Sequence, residues 1–244
     1  MEETFKVVLL GEAGVGKTSI ISQFVDQNFQ EDIQASTGGT FSSKTFIYEN
    51  NKLLKFEIWD TAGQERYRSL TTMFYKEANA AILVYDITRV NTFDEIKTYW
   101  TKQIKESAPE NIILVICANK SDLIKEEKVD EEMVRKFAQD IGAIFCSTSA
   151  KNSFGISDLF LQIAKKHTKC DDIRIKNDDE EIAPQEEDDR DVNMIKRGSV
   201  KITNNNNNKK EDKNFKVDNC VSLPFNGSKI TIIPVTFPDN NSFL

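Results

Sequence analysis

The chain is 244 residues long, 39% hydrophobic and 29% charged, with a formal net charge of −7. Nine acids and one arginine in residues 178–191 give that window −8 and leave +1 for the rest, which excludes an acidic domain surface, and no basic stripe with interleaved aromatics points to nucleic acid. No apolar run approaches the roughly 18 residues of a membrane span, no signal peptide opens the sequence, and Cys117, Cys146, Cys170 and Cys220 read as free thiols of a reducing cytosol rather than disulfides or metal ligands.

Residues 4–10 hold an apolar run, Phe5, Val7, Val8, Leu9 and Leu10, that reads as a buried strand. Gly11-Glu12-Ala13-Gly14-Val15-Gly16-Lys17-Thr18-Ser19 follows, after which Ile20, Ile21, Phe24 and Val25 recur at helical spacing. A glycine, four free positions and Gly-Lys-Thr between a strand and a helix is the pattern of a phosphate-binding loop. Small residues let the backbone N–H groups of residues 13–19 curl round a phosphate, the helix N-terminus adds positive potential, Lys17 reaches the outer phosphates, and the Thr18 hydroxyl can ligate Mg²⁺.

A polar stretch, residues 26–39, leads to two strands at 41–48 and 53–60, joined by the Asn-rich turn Glu49-Asn50-Asn51-Lys52. Residues 80–86 and 111–117 are apolar on both faces, as buried parallel strands require. Between them Phe93, Ile96, Trp100 and Ile104 mark one face of a helix, with Trp100 in the core. Residues 130–140 predict another helix, 143–147 a last strand, and Ile156, Leu159, Phe160 and Ile163 a closing helix.

Strand and helix alternate, so right-handed crossovers predict an α/β fold of the P-loop NTPase kind. The expected architecture is a three-layer sandwich: a mostly parallel six-stranded sheet with one antiparallel edge strand, and helices on both faces. It occupies residues 1–170. Residues 171–244, acidic and Asn-rich with an Asn run at 204–208, read as a disordered tail, within which residues 229–237 form a β-prone patch.

The remaining motifs fall at the carboxyl ends of strands, where such sheets bind ligands. Asp60-Thr61-Ala62-Gly63-Gln64-Glu65 offers Asp60 to Mg²⁺, the Gly63 N–H to a terminal phosphate, and Gln64 as the catalytic residue that orients the attacking water. Asn119-Lys120-Ser121-Asp122 and Ser149-Ala150-Lys151 follow the next strands. Guanine presents donors at N1 and its exocyclic amine, which a carboxylate at Asp122 accepts together; adenine lacks that pair. Lys120 lays its stem along the base, and Asn119 with the backbone of Ser149 and Ala150 ties the loops.

These residues resemble the Ras superfamily of small GTPases, and its Rab family most closely, over residues 4 to about 168. The likeness is carried by Phe56-Glu57-Ile58-Trp59-Asp60-Thr61-Ala62-Gly63-Gln64-Glu65-Arg66-Tyr67, by Ser69-Leu70 through Phe74-Tyr75, and by Tyr85-Asp86-Ile87-Thr88. The resemblance implies a switch that binds GTP or GDP with Mg²⁺, hydrolyses GTP slowly, and regulates vesicle traffic. It further implies effectors that meet Phe41, Trp59, Phe74 and the switch segments, together with GTPase-activating and nucleotide-exchange proteins. A monomer in the cytoplasm or on the cytosolic face of endomembranes is expected.

Two departures from the Rab pattern stand out. In Ser36-Thr37-Gly38-Gly39-Thr40-Phe41 the residue that reaches the metal in the GTP state is Ser36 by ungapped count or Thr37 after a one-residue shift. The chain also ends Asn240-Asn241-Ser242-Phe243-Leu244 without prenylation cysteines, and Glu2 rules out N-myristoylation. Recruitment by a partner, acylation of Cys220 and a soluble protein all stay open. So do two other classes of function: a GTPase-like scaffold that binds nucleotide without significant hydrolysis, against which Gln64 speaks, and a P-loop ATPase or kinase, against which Asp122 speaks.

Overall fold

The computed structural model describes residues 2–31, 39–61, 73–177 and 179–180, all within one compact unit. Ser36, Thr37, Gly63, Gln64, Cys220 and most of the expected tail lie outside the described residues. In chain order the elements are β1 (Glu2–Leu10), α1 (Lys17–Val25), β2 (Thr40–Tyr48), β3 (Lys52–Asp60) and β4 (Ala80–Asp86). A long helix follows, built of α2 (Val90–Glu95), a π-helical turn (Ile96–Trp100) and α3 (Thr101–Ser107). The chain continues with β5 (Ile113–Asn119), a 3₁₀ turn (Ser121–Glu126), α4 (Glu131–Asp140), β6 (Ile144–Ser147), α5 (Ile156–Thr168) and β7 (Ile173–Ile175).

The sheet order is β6-β5-β4-β1-β3-β2-β7. Strand alternation splits its core in two. Phe5, Val7 and Leu9 of β1 point to the face covered by α1 and α5, where they meet Ile20, Phe24, Phe160 and Ile163. Val8 and Leu10 point to the opposite face, against Phe93, Ile96, Trp100 and Ile104 of the long helix and Val134 and Ala138 of α4. β4 lies inside the sheet between β5 and β1 and is buried along its whole length, which explains why it reads as an unbroken apolar run. At the β2–β3 turn Asn50 and Asn51 adopt φ of 52° and 62°, a left-handed conformation that Asn tolerates better than most residues.

The expected class holds, with one correction to the sheet. It has seven strands rather than six, and the antiparallel strand, β2, is not its edge. The stretch read as a tail from residue 171 turns back after α5 and pairs Ile173, Arg174 and Ile175 with Tyr48, Ile47 and Phe46. The Lys176 N–H donates to the Thr45 carbonyl at 2.8 Å, extending the ladder. Ile173 is buried in the core beneath α1 and α5, Ile175 packs on the same core, and Arg174 faces outward to bond Glu180. Three residues of apolar-charged-apolar alternation are too short a signal to stand out beside the acidic run that follows.

Ile173→Asp is expected to lower stability by about 2–3 kcal/mol, since it removes a buried apolar side chain and leaves a charge in its place. Amide exchange should quicken across residues 46–48 and 173–176 while β1 and β4 stay protected. Unchanged protection at 46–48 would show that β7 contributes nothing to the edge.

Candidate nucleotide site

The phosphate loop is shaped by its glycines. Gly11, Gly14 and Gly16 have φ of 141°, 76° and 98°, a region that side chains with a Cβ rarely enter. A Cβ at Gly11 would run into the Val84 carbonyl, and one at Gly16 into the Asn119 amide. The loop is therefore pressed between β4 and the end of β5. No side chain caps the N-terminus of α1, so its first N–H groups suit an anion, the role expected of residues 13–19.

Lys17, only 6% exposed, folds its ammonium back onto the loop, donating to the Gly11 carbonyl at 3.0 Å and the Glu12 carbonyl at 3.1 Å. Burial pushes its pKa down to about 8, and nearby Asp60 offsets only part of that. Thr18 Oγ1 donates to Asp60 Oδ2 at 2.6 Å, which brings two hard oxygens from α1 and β3 to one point. Thr61 Oγ1 fastens the end of β3 to the Leu9 carbonyl at 2.6 Å.

Asn119, the last residue of β5 and 1% exposed, joins the phosphate loop to the rest. Its Nδ2 donates to the Val15 carbonyl at 2.8 Å, and its Oδ1 accepts from Thr148 Oγ1 at 3.2 Å. The expected strand at 111–117 lies two residues later in the chain, at Ile113–Asn119, because Pro109 and a turn delay its start. That shift places Asn119 at the strand's carboxyl end. Ser149 Oγ donates to Asp122 Oδ1 at 2.6 Å and so orients the exposed carboxylate, a role for its side chain beyond the backbone contact expected. Ala150 is buried beneath it. Lys120 adopts φ 68° and anchors its ammonium 2.7 Å from Asp86 Oδ2. Lys151 pairs at 2.8 Å with Glu31, 120 residues away, so the base loop is pinned to the segment that leaves α1.

Thr148, Arg89 and Glu31 are neighbours of the candidate site that motif reading missed, and Asp86, quoted only within Tyr85-Asp86-Ile87-Thr88, was given no role in it. Only Asp86 carried a usable signal: a carboxylate that closes a strand otherwise apolar on both faces.

On the outer face of the sheet Phe41, Trp59 and Phe74 form a row. Trp59 lies 5.4 Å from Phe41, edge-on, and 5.4 Å from Phe74, tilted, with Lys6 Nζ 5.6 Å above its ring. Phe41 is 50% exposed, so it does not belong to the core.

The model of the Ras family matches residues 6–169. Ras-related protein Rab-22A of Homo sapiens is 46% identical to the chain over 166 residues, covering 68% of this chain and 84% of that protein. Ras-related protein Rab-31 of Mus musculus is 45% identical over 161 residues, covering 66% and 82%. The chain belongs to the Rab family of Ras-like small GTPases.

Rab-family proteins bind GTP or GDP with Mg²⁺, meet effectors, activating and exchange proteins, and regulate vesicle traffic. The residues of this Rab-family chain fit that ligand set. The cradle leaves no room for a Cβ at Gly11 or Gly16, Lys17 stands in it as a buried cation, and Thr18 and Asp60 present the oxygen ligands that Mg²⁺ prefers alongside phosphate oxygens. The match to the Ras family stops at residue 169, so β7 lies beyond the matched residues. Among the described residues no helix is long and apolar enough to cross a membrane.

Proposed function

We propose that the protein is a Rab-type switch that binds guanine nucleotide, hydrolyses GTP slowly, and presents the row Phe41, Trp59 and Phe74 to effectors in the GTP state. The observation that carries this reading is Asn119. One side chain holds Val15 of the phosphate loop and Thr148 of the base loop, so phosphate chemistry and base recognition belong to a single site. Asp122, oriented by Ser149, accepts from both guanine donors, and Lys120 supports the base with its stem while Asp86 holds its charge.

Residues 13–19 and Lys17 bind and orient the phosphates. Thr18 and Asp60 hold Mg²⁺, which when bound offsets charge on the phosphate oxygens, and Ser36 or Thr37 closes over it. Gln64 orients the water that attacks. Slow hydrolysis is expected because no arginine among the described residues is free to reach a terminal phosphate: Arg89 reaches the phosphate loop, but Asp86 and the Ala13 carbonyl hold its guanidinium. An activating partner that supplies one adds about 10³ to 10⁵ in rate.

Releasing the co-purified nucleotide by denaturation is expected to yield GDP or GTP; an adenine nucleotide would overturn the assignment. In single-turnover assays Gln64→Leu should slow hydrolysis by about 10²-fold or more, the lower end of what a positioned polar group contributes to a proton-transfer step. Equal rates would remove Gln64 from the chemistry, and no hydrolysis by the unaltered protein would leave a nucleotide-binding scaffold.

A further inference from the structure

β4 is buried along its whole length, and its last residue, Asp86, is a carboxylate only 2% exposed. Such a charge survives in the interior only if its oxygens are fully occupied. Here they are. Oδ1 accepts from the Thr88 N–H at 2.9 Å and from Thr88 Oγ1 at 2.7 Å. Oδ2 accepts from Arg89 Nε at 3.2 Å and from Lys120 Nζ at 2.7 Å. Burial pushes the carboxyl up, and the hydrogen bonds from Lys120 and Thr88 outweigh it, so Asp86 sits below the usual carboxylate range and stays ionised.

The two cations on Oδ2 lead to opposite ends of the site. Lys120 belongs to the base loop. Arg89 turns the other way, and its Nη2 donates to the Ala13 carbonyl of the phosphate loop at 3.0 Å, across 76 residues of sequence. A second bond runs beside it, from Asn91 Nδ2 to Glu12 Oε2 at 2.8 Å. Thr92 fixes the turn that makes this geometry, accepting from the Asp86 N–H at 3.1 Å and donating to the Arg89 carbonyl at 2.7 Å. Thr88 alone would satisfy the oxygen of a neutral amide at position 86, but the amide N–H groups would face two cations. Only a carboxylate also holds two cations, and each of those cations touches a different nucleotide-binding loop.

We propose that Asp86 is a positioning residue of the nucleotide site: through Lys120 and Arg89 it locks the base loop to the phosphate loop, and so slows release of the bound nucleotide. The inference rests on the guanine-nucleotide reading above. It assigns to the end of β4 a second link between the two loops, beside the one that Asn119 makes. With both links in place neither loop opens without the other, so base and phosphates leave together.

The test uses the full-length protein loaded with fluorescent GDP and chased with unlabelled GDP in Mg²⁺. Asp86→Asn keeps the shape and removes the charge; release should quicken about tenfold, the effect of losing charge-assisted hydrogen bonds. Arg89→Gln should quicken release about threefold, and Arg89→Lys should match it, because an ammonium paired with Asp86 does not fork to the Ala13 carbonyl. The double variant Asp86→Asn/Arg89→Gln should release no faster than Asp86→Asn alone, since both changes cut one path.

A merely structural loss at either site would make the two effects multiply, and that outcome overturns the proposal. So does release at the unaltered rate from Asp86→Asn. If Asp86→Asn fails to fold, the arginine variants decide, and an Arg89→Lys protein that behaves as the unaltered one overturns the link to the phosphate loop. Failure of the unaltered protein to bind GDP would instead sink the guanine-nucleotide reading and this inference with it.

Discussion

Asp122→Asn is expected to weaken GDP binding by about 10² to 10³ and to raise the affinity for xanthosine diphosphate. The carboxylate offers two acceptors to the two donors of guanine, whereas the amide sets one N–H group against a base donor and leaves it unpaired. Xanthine carries a carbonyl where guanine has its amine, so the same amide then finds a partner. Ser149 Oγ, which donates to Asp122 Oδ1 at 2.6 Å, can donate equally to the Asn carbonyl, and the side chain keeps its orientation. Competition between GDP and its xanthine counterpart for the full-length protein checks this. Unchanged GDP affinity would remove Asp122 from base recognition.

Lys17→Met is expected to cost about 10³ in affinity for GDP, because the phosphates lose a buried cation and its charge-assisted bonds, while stabilising the nucleotide-free protein. The second effect follows from the position of the ammonium. Burial lowers its pKa from 10.5 to about 8 in the folded chain. Between these values the unfolded chain binds more protons than the folded one, so the stability of the nucleotide-free protein rises as pH climbs from about 8 to about 10.5. Below about 8 the full cost of the buried charge is present, on the order of 3 kcal/mol.

Bound phosphates restore a counter-charge and draw the pKa back up. Nucleotide binding near pH 9 should therefore take up a proton. Calorimetry in two buffers of different ionisation enthalpy measures that uptake directly. Equal apparent enthalpies in both buffers would mean that Lys17 is already charged in the empty loop, and Lys17→Met should abolish any difference.

Whatever depends on neighbours in sequence was legible from the chain. Residues 11–19 announce a phosphate loop because glycine, lysine and threonine at fixed offsets serve one backbone geometry, and the positive φ of Gly11, Gly14 and Gly16 bears this out. The run 80–86 announces a strand buried on both faces, and Phe93, Ile96, Trp100 and Ile104 a helix face, since periodicity records burial directly. The carboxyl-end placement of Asp60, Asn119 and Ser149 follows from the alternation of strands and helices.

The sequence by itself thus determined the fold class, the loops at the carboxyl ends of the strands, and the residue types that the proposed nucleotide would meet there. Tertiary structure alone decided how these parts are joined. Asp86 to Lys120, Arg89 to Ala13, Asn119 to Val15 and Lys151 to Glu31 each connect segments separated by 34 to 120 residues or buried polar groups with no periodic signature. A charged or amide side chain looks the same in sequence whether it faces water or holds two loops together. Likewise, the alternation in Ile173-Arg174-Ile175 acquires meaning only beside the exposed edge of β2, where backbone groups of Thr45 to Tyr48 need partners. The phosphate loop therefore came from local pattern, and its fastening to the base loop from contacts that only the folded chain creates.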